Sequence, residues 1–390
     1  MASAARVATR VLVLDGVRGL AIALVMGVHF LGDATPASTL ERVLVWTGNQ
    51  GIVGVDLFFV LSGFLITGIL YDARASPNYY GDFYMRRLLR IFPLYYGVLA
   101  VLFLGWPLVR PLPNGLRDSA AHQAWLWLYG TNIYQTLRGS WAFPYLSHFW
   151  SLAIEEHFYL LWPLVVRLCP RPALLRICVG AMLFSFGLRA VLGAAGATPM
   201  AAYVLTPCRL DALCGGAMLA LLSRAPGGMD ALAQPARRLL GLAGIGLACA
   251  VGWHIATPRL EWLSLSVRGS CFALCFTALI AVVLTSRAGP LRKLFESRTL
   301  CLLGKYSYGL YVFHGILSYG FGELQLQQRL TAGVHWHLGG FLLQAAVGAA
   351  ASIAVAMVSY ELFEKRFLSL KRYFEPPSKP APANAPALDA

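Results

Sequence analysis

Long apolar stretches, separated by short polar connections, make up most of the chain. An α-helix needs about 20 apolar residues to cross a bilayer. Stretches near that length lie at 12–31, 52–71, 91–109, 149–168, 174–194, 203–222, 239–257, 266–286, 299–320 and 338–361. The pattern predicts an all-α fold, namely a polytopic membrane bundle of about ten transmembrane helices.

The composition also indicates a membrane protein. Hydrophobic residues make up 58% of the 390-residue chain, charged residues only 13%, and the mean hydropathy is +0.62. A soluble domain of this length needs far fewer apolar residues to form its core. We therefore expect most of the chain to face lipid or other transmembrane helices.

The positions of the basic residues predict the orientation in the membrane. With ten spans and a cytoplasmic N-terminus, 21 of the 32 Lys and Arg residues fall in cytoplasmic segments. Cytoplasmic loops carry such an excess, so we expect both termini in the cytoplasm. The net charge of +14 is spread over all these loops, and we therefore expect no nucleic-acid partner.

Two segments lie outside this pattern of spans. The outer connection at 110–148 is long, and its WLWLYGTNIY stretch is too short to span but aromatic enough to lie in the membrane interface. We expect it to cover the bundle or to bind an acceptor. We assign residues 1–373 to one transmembrane domain and 374–390 to a Pro/Ala-rich, disordered cytoplasmic tail.

The eight cysteines lie in or beside the spans and form no C-x-x-C pair. We interpret them as small apolar residues of a helical bundle. Neither a disulfide nor a metal site is expected, and no permanently bound cofactor.

Polar residues at membrane depth are the best candidates for function, because the bilayer makes each of them costly. The first span, LDGVRGLAIALVMGVHF at 14–30, contains Arg18 and His29. They are eleven positions apart, which is about three helical turns, so both side chains lie on one face about 16 Å apart. This helix is expected to form one wall of a site.

The second span and the segment after it contain further charged residues. Asp56, near the outer end of the span, is either a capping or interfacial acid or a site residue. Arg87 and Arg90, in YMRRLLRIFPLYY, are three positions apart and share a helical face. Arginines are common in any cytoplasmic loop, yet paired guanidinium groups also bind phosphate well. With Arg18 on the same side, they are candidates for holding a phosphorylated donor.

The fourth span begins with the densest group of titratable residues. SHFWSLAIEEHFYLLWP brings His148, Glu155, Glu156 and His157 within ten positions. Two carboxylates and two imidazoles at the mouth of a helix are not explained by solubility. Such groups can act as general acids or bases or bind hydroxyl groups.

Two later spans add further candidates. The ninth, with GKYSYGLYVFHGIL, contains Tyr308 and His314, although a lone buried histidine is more often structural than catalytic. The sixth contains Arg209 and Asp211 in CRLDALCGG, which we interpret as a pair within the bundle.

Taken in order, these motifs resemble the integral-membrane acyltransferase-3 family. The motifs are LDGVRG followed by His29, GVDLFFVLSGFLIT, RRLLRIFPLYY, HFWSLAIEEHFYLLWP, RLDALCGG, GKYSYGLYVFH and YELFEKRF. The resemblance runs from about residue 12 to 373. Ala153 and His157 stand where serine and glutamine are usual, and Arg366 replaces a common proline; the change at His157 could alter acceptor contacts.

The resemblance implies an enzyme of the bacterial inner membrane that moves an acyl group, often acetyl, from cytoplasmic acyl-coenzyme A to a hydroxyl of a carbohydrate or glycolipid. The family's Arg-x10-His pattern falls on Arg18 and His29, and its Arg-x-x-Arg pattern on Arg87 and Arg90. It implies that His29 is the catalytic base and that the arginines position the coenzyme. The family's first WSL-x-x-E acid falls on Glu155, which would orient His29 or bind sugar hydroxyls.

Some alternatives stay open at this point. Sequence does not decide whether a histidine acts as base or as nucleophile, nor which envelope glycan or small molecule is the acceptor. A transporter or flippase would use the same polar residues to line a path without forming a bond, but such proteins tend to show internal repeats, and none is evident. A purely structural role conflicts with the cost of Arg18 and His29 in lipid.

Overall fold

The computed structural model describes residues 2–256 and 261–374, and the side chains of residues 12–253 and 262–374. Residues 375–390 of the predicted tail lie outside this range. The helices are α1 (Ala2–Gly27), α2 (Thr39–Asn49), α3 (Gly54–Asp72), α4 (Tyr79–Ala100), α5 (Asn114–Ala121), α6 (Ala124–Trp127), α7 (Thr131–Arg138), α8 (Trp150–Leu168), α9 (Arg171–Ala194), α10 (Pro199–Val204), α11 (Leu210–Leu222), α12 (Ala233–Ala256), α13 (Glu261–Thr285), α14 (Pro290–Phe295), α15 (Arg298–Lys305), α16 (Ser307–Glu323), α17 (Leu326–Val334), α18 (His337–Ser359) and α19 (Lys365–Ser369). The described residues form no β-strand, which confirms the all-α prediction.

Within residues 2–256 and 261–374, seven helical segments are long and apolar enough to cross a bilayer. They are Leu12–Gly32, Thr39–Asp72, Tyr79–Leu108, Arg171–Ala194, Asp230–Trp253, Trp262–Thr285 and His337–Phe374. The protein is therefore an integral membrane protein built from a helical bundle. The third segment begins earlier than the sequence pattern indicated, so the Arg87 and Arg90 pair lies within helix α4.

Three of the ten predicted spans do not meet the same criterion, for physical reasons that differ. Helix α8 has 19 residues but contains Glu155, Glu156 and Arg167. The stretch at 203–222 is interrupted between α10 and α11, and the stretch at 299–320 is divided where α15 ends and α16 begins. The count of about ten spans remains a prediction.

Helix α3 lies at the centre of the bundle and packs closely against α11. A Cβ atom at Gly63 would lie 1.9 Å from the carbonyl oxygen of Leu213, and one at Gly216 would lie 1.9 Å from that of Val60. Small residues allow such backbone approach, which is a main source of helix association in lipid. Glycine at these two positions therefore fixes the spacing of the two helices.

Neighbouring helices give the bundle two distinguishable sides. Gly51 approaches the backbone of Leu24, and Gly54 that of Ala21, so α3 runs antiparallel to α1. Helix α8 runs parallel to α3, because Phe59 packs on Trp150 while Thr67 accepts a hydrogen bond from Trp162. We call the side where α1 begins the near side and the side where it ends the far side.

The long connection after α4 folds into three short helices, α5 to α7, on the far side. Tyr95 of α4 donates a hydrogen bond to the carbonyl oxygen of Leu126 at 2.7 Å, and Tyr96 donates one to that of Trp127 at 3.0 Å. These contacts place the aromatic WLWLYGTNIY stretch over α4, which is the covering position considered for it from the sequence.

Candidate active site

A cavity of about 110 Å³ lies between α1, α3, α4, α8 and α16. This volume is large enough for several waters or a narrow chain, because one water needs about 10–15 Å³ of such space. Charged and hydroxyl groups in its wall are Arg18, Arg87, Arg90, Glu155, Glu156, Ser62, Ser151, Ser307, Tyr159, Tyr308 and Tyr311. The cavity thus brings together the three predicted donor-binding arginines and both carboxylates of α8.

The arginines form a cationic cluster with few neutralising partners. Arg18 forms an ion pair with Asp15 at 2.5 Å. The guanidinium of Arg87 lies over the Tyr159 ring at 5.9 Å, and its buried Nε has no hydrogen-bond partner among the described residues. A buried donor without a partner is costly. A negatively charged ligand in the cavity would supply the missing acceptor.

Lys371 also belongs to this cluster and was missed from the sequence. It lies in a 3₁₀ turn, Leu370–Phe374, that packs against α4, close enough to Arg90, Arg87 and Arg18 for their charges to act on it. Its only sequence signal is the run of basic residues after α18, which is also what a cytoplasmic segment shows.

The two carboxylates of α8 have different surroundings. The Glu155 carboxylate lies close to the hydroxyls of Ser62 and Tyr159, which hydrogen-bond to each other. Glu156 has a buried Oε1 without a hydrogen-bond partner within 2–256 and 262–374. Both are therefore placed to interact with a ligand in the cavity.

His29 does not line this cavity; it belongs to a row of three histidines on its far side. The ring of His314 lies 4.9 Å from that of His29 and 4.9 Å from that of His148. Tyr311, which lines the cavity, lies 5.4 Å from His314 and donates a hydrogen bond to the carbonyl oxygen of His148. His314 therefore separates His29 from the cavity wall.

The hydrogen bonds of this row fix its tautomers. His148 donates from Nε2 to the carbonyl oxygen of Val312 at 3.1 Å, and His314 donates from Nδ1 to that of Leu310 at 3.0 Å. Nε2 of His314 is then an acceptor, and it is buried without a partner among the residues described. His314 is therefore not the fully satisfied structural histidine that a lone buried histidine usually is.

Asp33 is the partner of His29, and the sequence reasoning overlooked it. Nδ1 of His29 lies 3.1 Å from Oδ2 of Asp33, and a carboxylate only accepts, so Nδ1 carries the proton. The pair lies at the end of a π-helical turn, Val28–Gly32, that follows α1. Such turns are frequent at functional sites. The hydrogen bond that was considered for Glu155 is thus made by Asp33.

The expected grouping of His148, Glu155, Glu156 and His157 is only partly observed. His157 lies away from the cavity and bonds through Nδ1 to the hydroxyl of Thr206 at 2.8 Å. Each residue turns a helix by about 100°, so His157 points about 200° away from Glu155. The glutamates line the cavity, and His148 joins the histidine row.

The pairing of Arg209 with Asp211 is wrong. Arg209 pairs with Asp56 at 2.9 Å, and Asp211 pairs with Arg189 at 2.6 Å; all four residues are buried. Residues two apart do not face each other on a helix, so each finds a partner on another element. Asp56 is therefore neither a helix cap nor an interfacial acid.

The last candidate, Tyr308, makes a structural hydrogen bond and also lines the cavity. Its hydroxyl donates to the carbonyl oxygen of Ile91 at 2.6 Å, next to Arg90 of α4, while its side chain faces the cavity. Tyr308 thus holds α4 and α16 together at the cationic end.

Comparison with known families is decisive at this point. The profile described as an acyltransferase domain, that of the acyltransferase-3 family, matches residues 11–361. The chain belongs to the acyltransferase-3 family. The matched range includes every cavity residue named above, together with the histidine row and Asp33, while Lys371 lies beyond it.

Curated relatives agree with this assignment. The chain is 29% identical over 319 residues to the peptidoglycan O-acetyltransferase OatA of Listeria monocytogenes, covering 77% of this chain and 48% of that protein. It is 27% identical over 282 residues to the O-acetyltransferase OatA of Staphylococcus aureus, covering 68% and 46%. The chain spans about half the length of the curated relatives it matches. No solved structure matches it.

Proposed function

We propose that the protein is a membrane O-acyltransferase that moves an acyl group, acetyl by default, from acyl-coenzyme A to a hydroxyl of an envelope glycan. Family membership supports acyl transfer, and the names of the OatA relatives support acetyl as the group and a glycan as the acceptor. The observation that carries the proposal is the cavity that holds the cationic cluster and is bounded by Tyr311, the neighbour of the histidine row.

The cationic cluster supports a donor with phosphate groups. Arg18, Arg87, Arg90 and Lys371 lie together, and the guanidinium groups suit bidentate binding of phosphate. Coenzyme A carries phosphates at one end and its thioester at the end of a narrow, flexible arm. A narrow cavity leading away from the cluster suits that arm, because the bulky phosphorylated part stays at its mouth.

His29 is proposed as the general base. With Nδ1–H bonded to Asp33, the lone pair of His29 is on Nε2. Nε2 takes the proton of the acceptor hydroxyl as that oxygen attacks the thioester carbonyl carbon. The carbon–sulfur bond then breaks, and the proton passes from His29 to the leaving thiolate, so the step yields an ester and a free thiol. Asp33 holds the ring in the required tautomer and stabilises the imidazolium.

Glu155 and Glu156 are proposed to bind and orient the reacting groups within the cavity. Their carboxylates line the same cavity as the arginines, and that of Glu155 lies beside the hydroxyls of Ser62 and Tyr159. Carboxylates there repel a second phosphate group and accept hydrogen bonds from amides or hydroxyls. They therefore favour entry of the neutral arm of the donor past the cationic end.

The near side is proposed to be cytoplasmic, in the inner membrane of a bacterium, with both termini there. The cationic cluster lies towards the near side, and coenzyme A is a cytoplasmic metabolite. His29 lies at the far end of α1 with its side chain 30% exposed, so an acceptor can approach it from outside.

The test uses purified protein in nanodiscs with radiolabelled acetyl-coenzyme A and glycan fragments. Saturable donor binding with formation of O-acetyl ester supports the proposal, and His29→Ala should keep the binding and lose the ester. Binding of no short acyl-coenzyme A would overturn the proposed donor, and transport of glycan without ester formation would favour a flippase.

A further inference from the structure

A second, larger cavity lies on the far side, on the opposite face of α3 from the first. Its volume is about 630 Å³, within the range of roughly 300–1,000 Å³ that is typical of ligand sites. Its wall is formed by the beginning of α3, the end of α9, the connection from α9 through α10 to α11, and the beginning of α13. None of the residues that the sequence placed at the donor site lines it.

The wall combines aromatic rings with an uncompensated cation. Its aromatic side chains are Trp141, Tyr203, Trp262 and Phe272, with Trp141 half exposed at the edge. Arg209 and Arg189 each have a carboxylate partner. Arg268 has no ion-pair partner or hydrogen bond within 2–256 and 262–374, and its Nε is buried.

These features indicate which kind of ligand the second cavity can bind. Aromatic rings offer flat apolar faces that suit the C–H faces of a sugar ring, while polar side chains at the edges bind its hydroxyls. Among the described lining residues, Arg268 contributes one net positive charge, since the other charged side chains are paired. An acid group on the ligand would satisfy the unpartnered guanidinium with charge-assisted hydrogen bonds.

The second cavity is also close to both parts of the proposed active site. Val55 lines the first cavity and Asp56, the next residue, lines the second. Gln50 and Val53 line the second cavity, and between them Gly51 contacts Leu24 and Val28 of the segment that ends at His29. A glycan chain bound in the second cavity can therefore pass a single turn of 3₁₀ helix and reach His29.

We propose that the second cavity is an anchoring subsite for the acceptor glycan, which it binds through a sugar unit that bears an acid group. The proposal rests on the proposed function, in that the glycan bound here is the one that is acylated. A neighbouring unit of the same glycan then presents its hydroxyl at His29.

The experiment measures equilibrium binding and transfer with acidic glycan oligomers and with the same oligomers after their carboxyl groups are converted to amides. Arg268→Gln should weaken binding of the acidic glycan about tenfold, as expected for a charge-assisted bond. It should bind the amide form as the wild type does. In transfer, the KM for the acidic glycan should rise by the same factor, with kcat and the KM for acetyl-coenzyme A unchanged.

Matched controls are available on the same side. Arg138→Gln removes an exposed far-side arginine, and Trp46→Ala removes a tryptophan that is 65% exposed on α2; neither lines the cavity. Both should leave glycan binding unchanged. Trp141→Ala should weaken binding of the acidic and amide forms equally, because stacking on an aromatic ring does not depend on the charge of the carboxyl group.

Each outcome separates this inference from the proposed function. Ester formation with an unchanged acceptor KM in Arg268→Gln would overturn the subsite and leave the acyltransferase standing. Glycan binding that depends on Arg268, without ester formation by the wild type, would support the subsite and contradict the acyltransferase. Displacement of the glycan by phosphatidylglycerol nanodiscs, but not by phosphatidylcholine nanodiscs, would assign the cavity to a lipid headgroup and overturn the inference.

Discussion

Nδ1 of His29 lies 3.1 Å from a carboxylate oxygen of Asp33, four residues later in a π-helical turn. The bond leaves Nε2 as the acceptor of the ring. The carboxylate is more than half exposed and lies close enough to stabilise a positive charge on the ring. The pair thus has the two properties that a general base requires, a fixed tautomer and a neighbouring negative charge.

His29→Ala should reduce ester formation by at least about 10²-fold, because the general base is lost. Donor binding should be unchanged, since His29 does not line the donor cavity. Mass spectrometry of the glycan measures the product, and gel filtration shows whether the protein remains intact. Normal product formation by an intact variant would remove His29 from the mechanism.

Asp33→Asn should lower kcat by about 10-fold or more while leaving the KM for acetyl-coenzyme A as it is. An asparagine can hydrogen-bond to either tautomer and provides no charge for the imidazolium. Asp33→Glu is the matched conservative variant. It keeps the carboxylate and should recover part of the rate. Equal kcat in the wild type and Asp33→Asn would show that the exposed pair is only structural.

The double variant Arg87→Ala, Arg90→Ala should bind acetyl-coenzyme A at least about tenfold more weakly, because each charged hydrogen bond is worth more than 1 kcal/mol. Isothermal titration in nanodiscs measures the affinity. Arg167→Ala is the control, since Arg167 ends α8 on the same near side and lies over the Tyr79 ring instead of the cavity. Unchanged affinity in the double variant would mean that these arginines do not bind the donor and only set the orientation in the membrane.

Gly315→Ala tests whether stability and acyl transfer depend on the geometry of the histidine row. A Cβ atom there would lie 2.3 Å from Nδ1 of His148, so the buried ring must move. We expect a lower melting temperature and slower transfer. Gly322→Ala on the same helix meets nothing within 4 Å and should match the wild type in both measurements. The same behaviour of the two variants would mean that the position of His148 has no effect.

Asp56→Asn should destabilise the protein by about 3–5 kcal/mol, because it leaves the buried Arg209 guanidinium without its counter-charge. Thermal unfolding in detergent measures the loss. Asp56→Asn combined with Arg209→Met should be more stable than Asp56→Asn alone, since the unpaired charge is then gone. A double variant with additive losses would show that the two side chains do not interact.

Residues that share one helical face could be predicted from the sequence. Arg87 and Arg90 are three apart, and both line the first cavity, as does Arg18 of the first span. Local periodicity is sufficient for this kind of inference. Asp33 was within reach of the same reasoning, because it lies four residues after His29.

The rest depends on packing between distant segments. The row of His29, His148 and His314 forms only because α16 packs against both the end of α1 and the turn before α8. Arg209 and Asp56 are 153 positions apart, so proximity in sequence indicates Asp211 instead of the true partner. No periodic pattern within one segment contains this information.

Packed aromatic side chains lie between the two cavities, from Phe59 in the wall of the first through Trp150 to Tyr203 in the wall of the second. Trp150 packs on Tyr203 at 4.9 Å, and the Arg209 guanidinium lies 4.3 Å from the Tyr203 ring while paired with Asp56. A bacterium stores energy as a proton gradient across its inner membrane, and any continuous water-filled passage would dissipate it. Under the proposed function this layer lets a cytoplasmic donor serve an external acceptor while the permeability barrier stays closed, so the enzyme exports a chemical group without becoming a channel.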